Sequence, residues 1–205
     1  MDISLQSIAL SASHVPFLKE PKKEKQIIQD EDMKALLAAP PDTQKGNRDR
    51  MIMILLYDTT IRIAELLELK ISSLKLTSVP SIHIHGKGDK ERRVYFDAKA
   101  KLHLQNYIKS RTDDTPALFV TLDAPYDRLK ISGVEIRMRE LGRMLNIPKI
   151  HPHKFRRTMA TRAIDKGMPI EQAQKILGHS QIDTTMQYAI VNQNNVKASH
   201  RRYIA

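Results

Sequence analysis

Between His151 and Tyr188 the chain gathers two histidines, an arginine and a tyrosine: His153 and Arg156, then His179, then Tyr188. These side chains suit phosphodiester chemistry. A phenol can attack phosphorus, a guanidinium can hold the oxyanions, and imidazoles can move or share protons. Pro152 fits a first helical turn, so His153 and Arg156, three apart, project from one face near a helix N-terminus. There the free N–H groups and the dipole favour an anion. Gly178 is expected to stop the next helix and to leave His179 on the turn beyond it. Ser180 and Asp183 match a capping box for a further helix carrying Thr184, Met186 and Tyr188. From His179 to Tyr188 is nine residues, ~13 Å along a straight helix, so a phosphate fits between them only if the chain curls back. Each residue has a plainer reading, and for Tyr188 it is an ordinary core tyrosine. His151-Pro152-His153 lacks an acidic or thiol ligand at matching spacing, so no metal site is expected.

Two cations lie upstream. Arg62 stands among apolar neighbours in Ile61-Arg62-Ile63-Ala64-Glu65-Leu66. Arginine is seldom buried without a partner, and Glu65, on the same helix face, is the candidate to orient it. The plain alternative is an exposed pair worth ~0.3–0.5 kcal/mol. Lys87 sits between Gly86 and Gly88 at the tip of an expected hairpin, where its ammonium can reach outward or touch a backbone phosphate. Gly86-Lys87-Gly88 is no Walker loop, because the spacer, the following Ser or Thr and the receiving helix are absent. Arg137, Arg139, Arg143, Lys154 and Arg157 form a basic stripe suited to a duplex backbone.

The elements that must position these groups follow from periodicity. Helices are expected from Asp30, over Asn47–Tyr57, around Ile61–Leu69, over Ala98–Arg111 with Leu102, Tyr107 and Ile108 inward, and over Ile131–Asn146. Two more are expected after Pro152 and Pro169, the latter with Ile170, Ala173, Ile176 and Leu177 inward. Ile71–Leu76 reads as a strand. Ser81–His85 and Arg92–Phe96 read as the arms of the hairpin. The fold class is therefore mainly α with a small antiparallel β-sheet (α+β). Residues 1–25 read as a remnant segment and charged linker, which implies a further unit upstream. Residues 26–188 read as one domain, and 189–205 as a tail.

Composition narrows the partner. The 205 residues carry a net charge of +11 and a pI near 9.8, which favours a polyanion. Nucleic acid is preferred over a membrane, since no apolar run approaches the ~20 residues of a spanning helix. Cysteine is absent, so neither disulfides nor thiolate metal sites are available. The start lacks the basic-then-apolar order of a signal peptide, giving the expectation of a cytoplasmic, nucleoid-associated protein.

These motifs together resemble the catalytic domain of tyrosine site-specific recombinases, the phage-integrase and Xer family. Thr59-Thr60-Ile61-Arg62-Ile63-Ala64-Glu65-Leu66 is similar to the segment bearing the family's first arginine. Gly86-Lys87-Gly88-Asp89-Lys90-Glu91-Arg92 resembles its lysine hairpin. His153-Lys154-Phe155-Arg156 matches the His-x-x-Arg box, Leu177-Gly178-His179-Ser180 the second histidine, and Thr184–Tyr188 the nucleophile segment. Thr60 replaces a usual glycine, Arg157 stands where many members have histidine, and the family's N-terminal core-binding domain is not expected within residues 1–25. The resemblance implies that Tyr188 attacks DNA to give a 3′-phosphotyrosine while Arg62 and Arg156 hold the phosphate. It further implies that Lys87 protonates the 5′-oxygen, His153 assists deprotonation of Tyr188, and His179 hydrogen-bonds the phosphate. No metal, ATP or other cofactor is implied. The expected partners are double-stranded DNA, a homo-tetramer formed on it from monomers through the docked tail, and accessory DNA-bending proteins. The expected task is integration or excision of a mobile element. A type IB topoisomerase-like nicking-closing enzyme and a non-catalytic DNA-binding module are the alternatives.

Overall fold

Six consecutive apolar residues, Met51 to Leu56, are all buried and mark the centre of the molecule. In the computed structural model, which describes residues 26–86, 90–188 and 200–201, they lie in α2 (Gln44–Asp58). The sequence assigns only Met51, Ile54 and Leu55 to an inward face. α2 is instead covered on several sides, by α1 (Asp30–Ala38), α4 (Ala98–Lys109) and α6 (Pro152–Asp165). Thr43 caps it by accepting from the Gly46 amide at 3.2 Å. A Cβ at Gly46 would stand 1.9 Å from the Pro41 carbonyl oxygen, so the chain entering α2 can pass only a glycine.

After α3 (Ile63–Glu68) the expected strand over Ile71–Leu76 is not formed as such. Residues Ile71–Ser73 make a 3-10 turn and only Leu74–Lys75 is strand, β1. The Ile71 amide donates to the Pro116 carbonyl and Lys70 bridges Ala117. That contact draws the chain off the sheet at this point. β2 (Ser81–Gly86) and β3 (Lys90–Tyr95) form the expected hairpin, and the antiparallel order is β1-β2-β3. Ile82, Ile84 and Val94 face the core, with Ile82 opposite Val94 and Ile84 opposite Arg92. The tip, with Lys87, lies outside the described residues.

α4 buries Ala100, Leu104 and Tyr107. This i, i+4, i+7 stripe leaves Leu102 57 % exposed, not inward as its apolar character suggests. α5 (Ile131–Met144) buries Val134, Met138 and Leu141 as expected. α6, α7 (Ile170–Leu177) and α8 (Ile182–Met186) complete the order. On α7 Ala173 and Leu177 are inward, whereas Ile176 is exposed. The α8 N-cap is Gln181, without a side-chain cap, in place of the expected Ser180–Asp183 box. Among the described residues no helix is long and apolar enough to cross a membrane.

Candidate functional site

The site is built around the C-terminal end of α7. The last carbonyls of a helix lack intrahelical donors and carry its negative dipole, so they attract cations. Three guanidiniums converge there. Arg156, on α6, is 3 % exposed. It donates to the carbonyls of Leu177 and Thr60, and its Nη2 lies 3.2 Å from His179 Nε2. Burial chiefly, and then the nearby Arg62 charge, lower its pKa to about 10, so it stays charged at neutral pH. These three contacts use three of the five N–H donors of the guanidinium.

Arg62 is the N-cap of α3. Its backbone N–H donates to Glu65 Oε2 at 2.9 Å and its Nη1 to Glu65 Oε1 at 3.1 Å. Its Nη2 donates to the Gly178 carbonyl at 3.0 Å. The side chain is nearly half exposed, so it presents charge to solvent while held at one end. Glu65 is thus in contact with Arg62, the partner named for it in the sequence, and it has a second one. Arg92 of β3 grips the same carboxylate with two bonds, 2.9 and 2.7 Å. Burial alone would raise the Glu65 carboxyl. The Arg92 hydrogen bonds, the Arg62 amide and both cations override it and hold the pKa at about 2.

His179 follows Gly178, whose φ of +62° is the left-handed stop expected of a helix-ending glycine. Guanidinium nitrogens only donate, so the His179 Nε2 facing Arg156 must be the acceptor. Nδ1 then carries the hydrogen and donates to Thr185 Oγ1 at 2.9 Å. Burial, then the Arg156, Arg62, His153 and Arg92 charges, push the imidazole down to about 4, in keeping with this neutral tautomer. Thr185 is fully buried and belongs to α8, so the same bond ties α8 to the histidine.

The chain does curl back. Tyr188 packs with Ala160 and Leu177 in a small second core, and its ring stacks on His179 with centroids 6.0 Å apart and planes 20° off parallel. The tyrosine is a buried packing residue, and it is also at the cationic cluster. His153 lies exposed in the first turn of α6, near enough for its charge to bear on His179.

The basic stripe divides. Arg139 and Arg143 are exposed on α5. Arg137 is tied to Asp49 at 2.6 Å and Glu140 at 3.0 Å. Arg157 is half-buried, and its Nε has no hydrogen-bond partner among the described residues. Lys154 is not displayed as a stripe residue should be, because it is buried with Nζ donating to the Pro148 carbonyl at 3.1 Å. On α6, Lys154 and Arg156 turn inward to carbonyl acceptors, while His153 stays exposed. Among the described residues no three His, Asp or Glu side chains are grouped as metal ligands.

Sequence reasoning gave no site role to Arg92, Thr60 or Thr185. Arg92 carries a readable signal. In a strand it shares a face with Val94, so it is an arginine at a core-facing position, which demands a carboxylate. The part of Thr60 is its carbonyl, which no side-chain pattern announces.

Residues 26–195 match the model of the phage integrase family. The chain is 32 % identical over 191 residues to tyrosine recombinase XerC of Staphylococcus haemolyticus, covering 89 % of this chain and 64 % of that protein. It is equally 32 % identical over 185 residues to tyrosine recombinase XerA of Pyrococcus furiosus, covering 90 % and 64 %. A crystal structure of XerA recombinase superposes with a TM-score of 0.74 at 30 % identity over 91 % of this chain and 66 % of that one. XerH recombinase bound to its difH substrate has the same fold, with a TM-score of 0.75 at 21 % identity, covering 90 % and 56 %. This chain thus spans about two thirds or less of the length of these relatives. The match over residues 26–195, taken with these identities, means that the chain belongs to the phage integrase family.

Proposed function

We propose that this chain cleaves and rejoins DNA at specific sites through a covalent tyrosine intermediate. The observation that carries the reading is the continuous contact from Tyr188 to His179 to Arg156, with Arg62 beside it on the Gly178 carbonyl. Residues more than a hundred positions apart in sequence meet at one helix end, and each has the chemistry that phosphoryl transfer needs.

The Tyr188 oxygen attacks the scissile phosphorus as its proton passes to a base, for which His153 is the assigned group. The P–O5′ bond breaks, and Lys87 gives a proton to the departing 5′-oxygen. The products are a 3′-phosphotyrosine and a free 5′-hydroxyl. Arg62 and Arg156 hold the non-bridging oxygens as charge builds on them. His179 reaches the phosphate through Nε2, which requires that nitrogen to take up a proton or to exchange tautomers as Arg156 turns to the substrate. A 5′-hydroxyl from a second strand reverses the step, so no external energy source enters. Arg139 and Arg143 meet backbone phosphates, with the half-buried Arg157 as a further contact. Four copies joined on paired duplexes, with residues 189–205 bridging neighbours and DNA-bending proteins assisting, complete the assembly. Integration or excision of a mobile element is the task assigned.

The test is covalent capture. The chain is incubated with duplexes of randomised sequence, each nicked so that a short 5′-hydroxyl fragment escapes after cleavage, and adducts are recovered under denaturing conditions. A DNA adduct with wild type and none with Tyr188→Phe is expected. Adducts that persist in Tyr188→Phe, or none with wild type, would refute the reading.

A further inference from the structure

Arg92 has no role in the mechanism above, yet it is placed at the site with more constraint than Arg62. Its side chain is largely buried, and it holds both oxygens of Glu65. Its guanidinium also lies against Gly178. A Cβ built there would come within 3.3 Å of its Cζ, Nε and Nη1. Its Nε is buried without a hydrogen-bond partner among the described residues. An unsatisfied buried donor at a core-facing strand position is costly, so the arginine is kept there against its own solvation. What it gains is the fork-to-fork geometry that a lysine cannot reproduce.

The carboxylate it holds is the one that orients Arg62, and the glycine it touches offers its carbonyl to Arg62. Arg92 also sits opposite Ile84, and the ladder continues from that pair to Gly86 opposite Lys90. Residue 87 follows directly on this paired segment in sequence. We propose that Arg92 is a positioning residue for strand cleavage: it clamps the paired strands β2 and β3, which flank the assigned proton donor Lys87 in sequence, to the arginine pair that holds the phosphate. This rests on the reading of Lys87 as the proton donor. One carboxylate then fixes the paired strands on either side of residue 87 in sequence against a group that holds the non-bridging oxygens. A displacement of about 1 Å in such a group costs roughly 10²-fold in rate.

Leaving-group chemistry tests this. A duplex recovered by the covalent capture described above is resynthesised with sulfur in place of the scissile 5′-oxygen. Attack by Tyr188 then breaks a P–S bond and releases a 5′-thiolate, which leaves without a proton. Adduct formation is timed for wild type, Arg92→Gln, Arg92→Lys and Lys87→Ala on both duplexes, with equilibrium binding and thermal unfolding measured in parallel. Arg92→Gln is expected to be slower than wild type by about 10²-fold on the oxygen duplex and within about tenfold of it on the sulfur duplex. Arg92→Lys is expected to behave like Arg92→Gln, and it stands in for that variant if the latter does not fold. Wild-type rates for both Arg92 variants on oxygen would overturn the inference. So would an equal loss on both duplexes while Lys87→Ala is rescued by sulfur, since Arg92 would then serve folding or the arginine pair alone. Failure of sulfur to rescue Lys87→Ala would overturn the reading of Lys87 itself, and this inference with it.

Discussion

Replacing Glu65 by Gln removes the single negative charge that Arg62 and Arg92 share. The carboxylate accepts four hydrogen bonds, two from each arginine, counting the Arg62 amide. A glutamine oxygen can take at most two of these, and its NH2 group would face donors. The pKa drop from 4.5 to about 2, at about 1.4 kcal/mol per tenfold change in proton affinity, corresponds to about 3 kcal/mol. Solvent screening on the open Arg62 side reduces this to about 2 kcal/mol. The folded-state pKa is depressed, so this stability is fully present above about pH 4.5 and is lost as pH falls towards 2. Urea unfolding at a series of pH values should therefore show Glu65→Gln about 2 kcal/mol less stable than wild type at pH 7, with a melting temperature roughly 4–8 °C lower. The two proteins should converge as pH falls from 4.5 through about 2. A gap that does not change with pH would show that shape and not charge makes Glu65 important, and would refute the electrostatic account.

Thr60 offers a second test, since its φ of +53° is in the left-handed region although it is β-branched. Relief of this strain should make Thr60→Gly about 1 kcal/mol more stable than Thr60→Ala, reversing the usual order of glycine and alanine; calorimetry that finds alanine ahead would contradict the conformation. Thr185→Val keeps the shape but leaves the His179 Nδ1–H without its acceptor, so a loss of roughly 1–3 kcal/mol is expected in urea unfolding. Thr185→Ser should retain most of the stability and of the adduct yield, and equal losses in both variants would mean that packing, not the tautomer-setting bond, is at stake.

Much of the fold was legible because it rests on short-range patterns. The acidic first turn and Pro40-Pro41 bound α1, the alternation of Ile82 and Ile84 marks β2, and Gly178 ends α7. The errors arise where distant packing overrides local pattern. Leu102 and Ile176 are apolar yet exposed, because the stripes turned to the core are Ala100, Leu104 and Tyr107 on α4 and Ala173 and Leu177 on α7. The Ile71–Leu76 segment reads as strand, but its first residue bonds to Pro116, which no local window contains.

The chemistry divides along the same line. The types and order of Arg62, His153, Arg156, His179 and Tyr188 are properties of the chain itself, and so is the demand that an arginine such as Arg92, in register with Val94, find a carboxylate. Which carboxylate, and what else it holds, is a property of the folded molecule. So are the seating of Arg156 on the Thr60 and Leu177 carbonyls and the stacking of Tyr188 on His179. Backbone carbonyls are identical at every position in a sequence. They become distinct acceptors only when a helix ends, a turn takes a left-handed residue, and α3, α6 and α7 bring those points together.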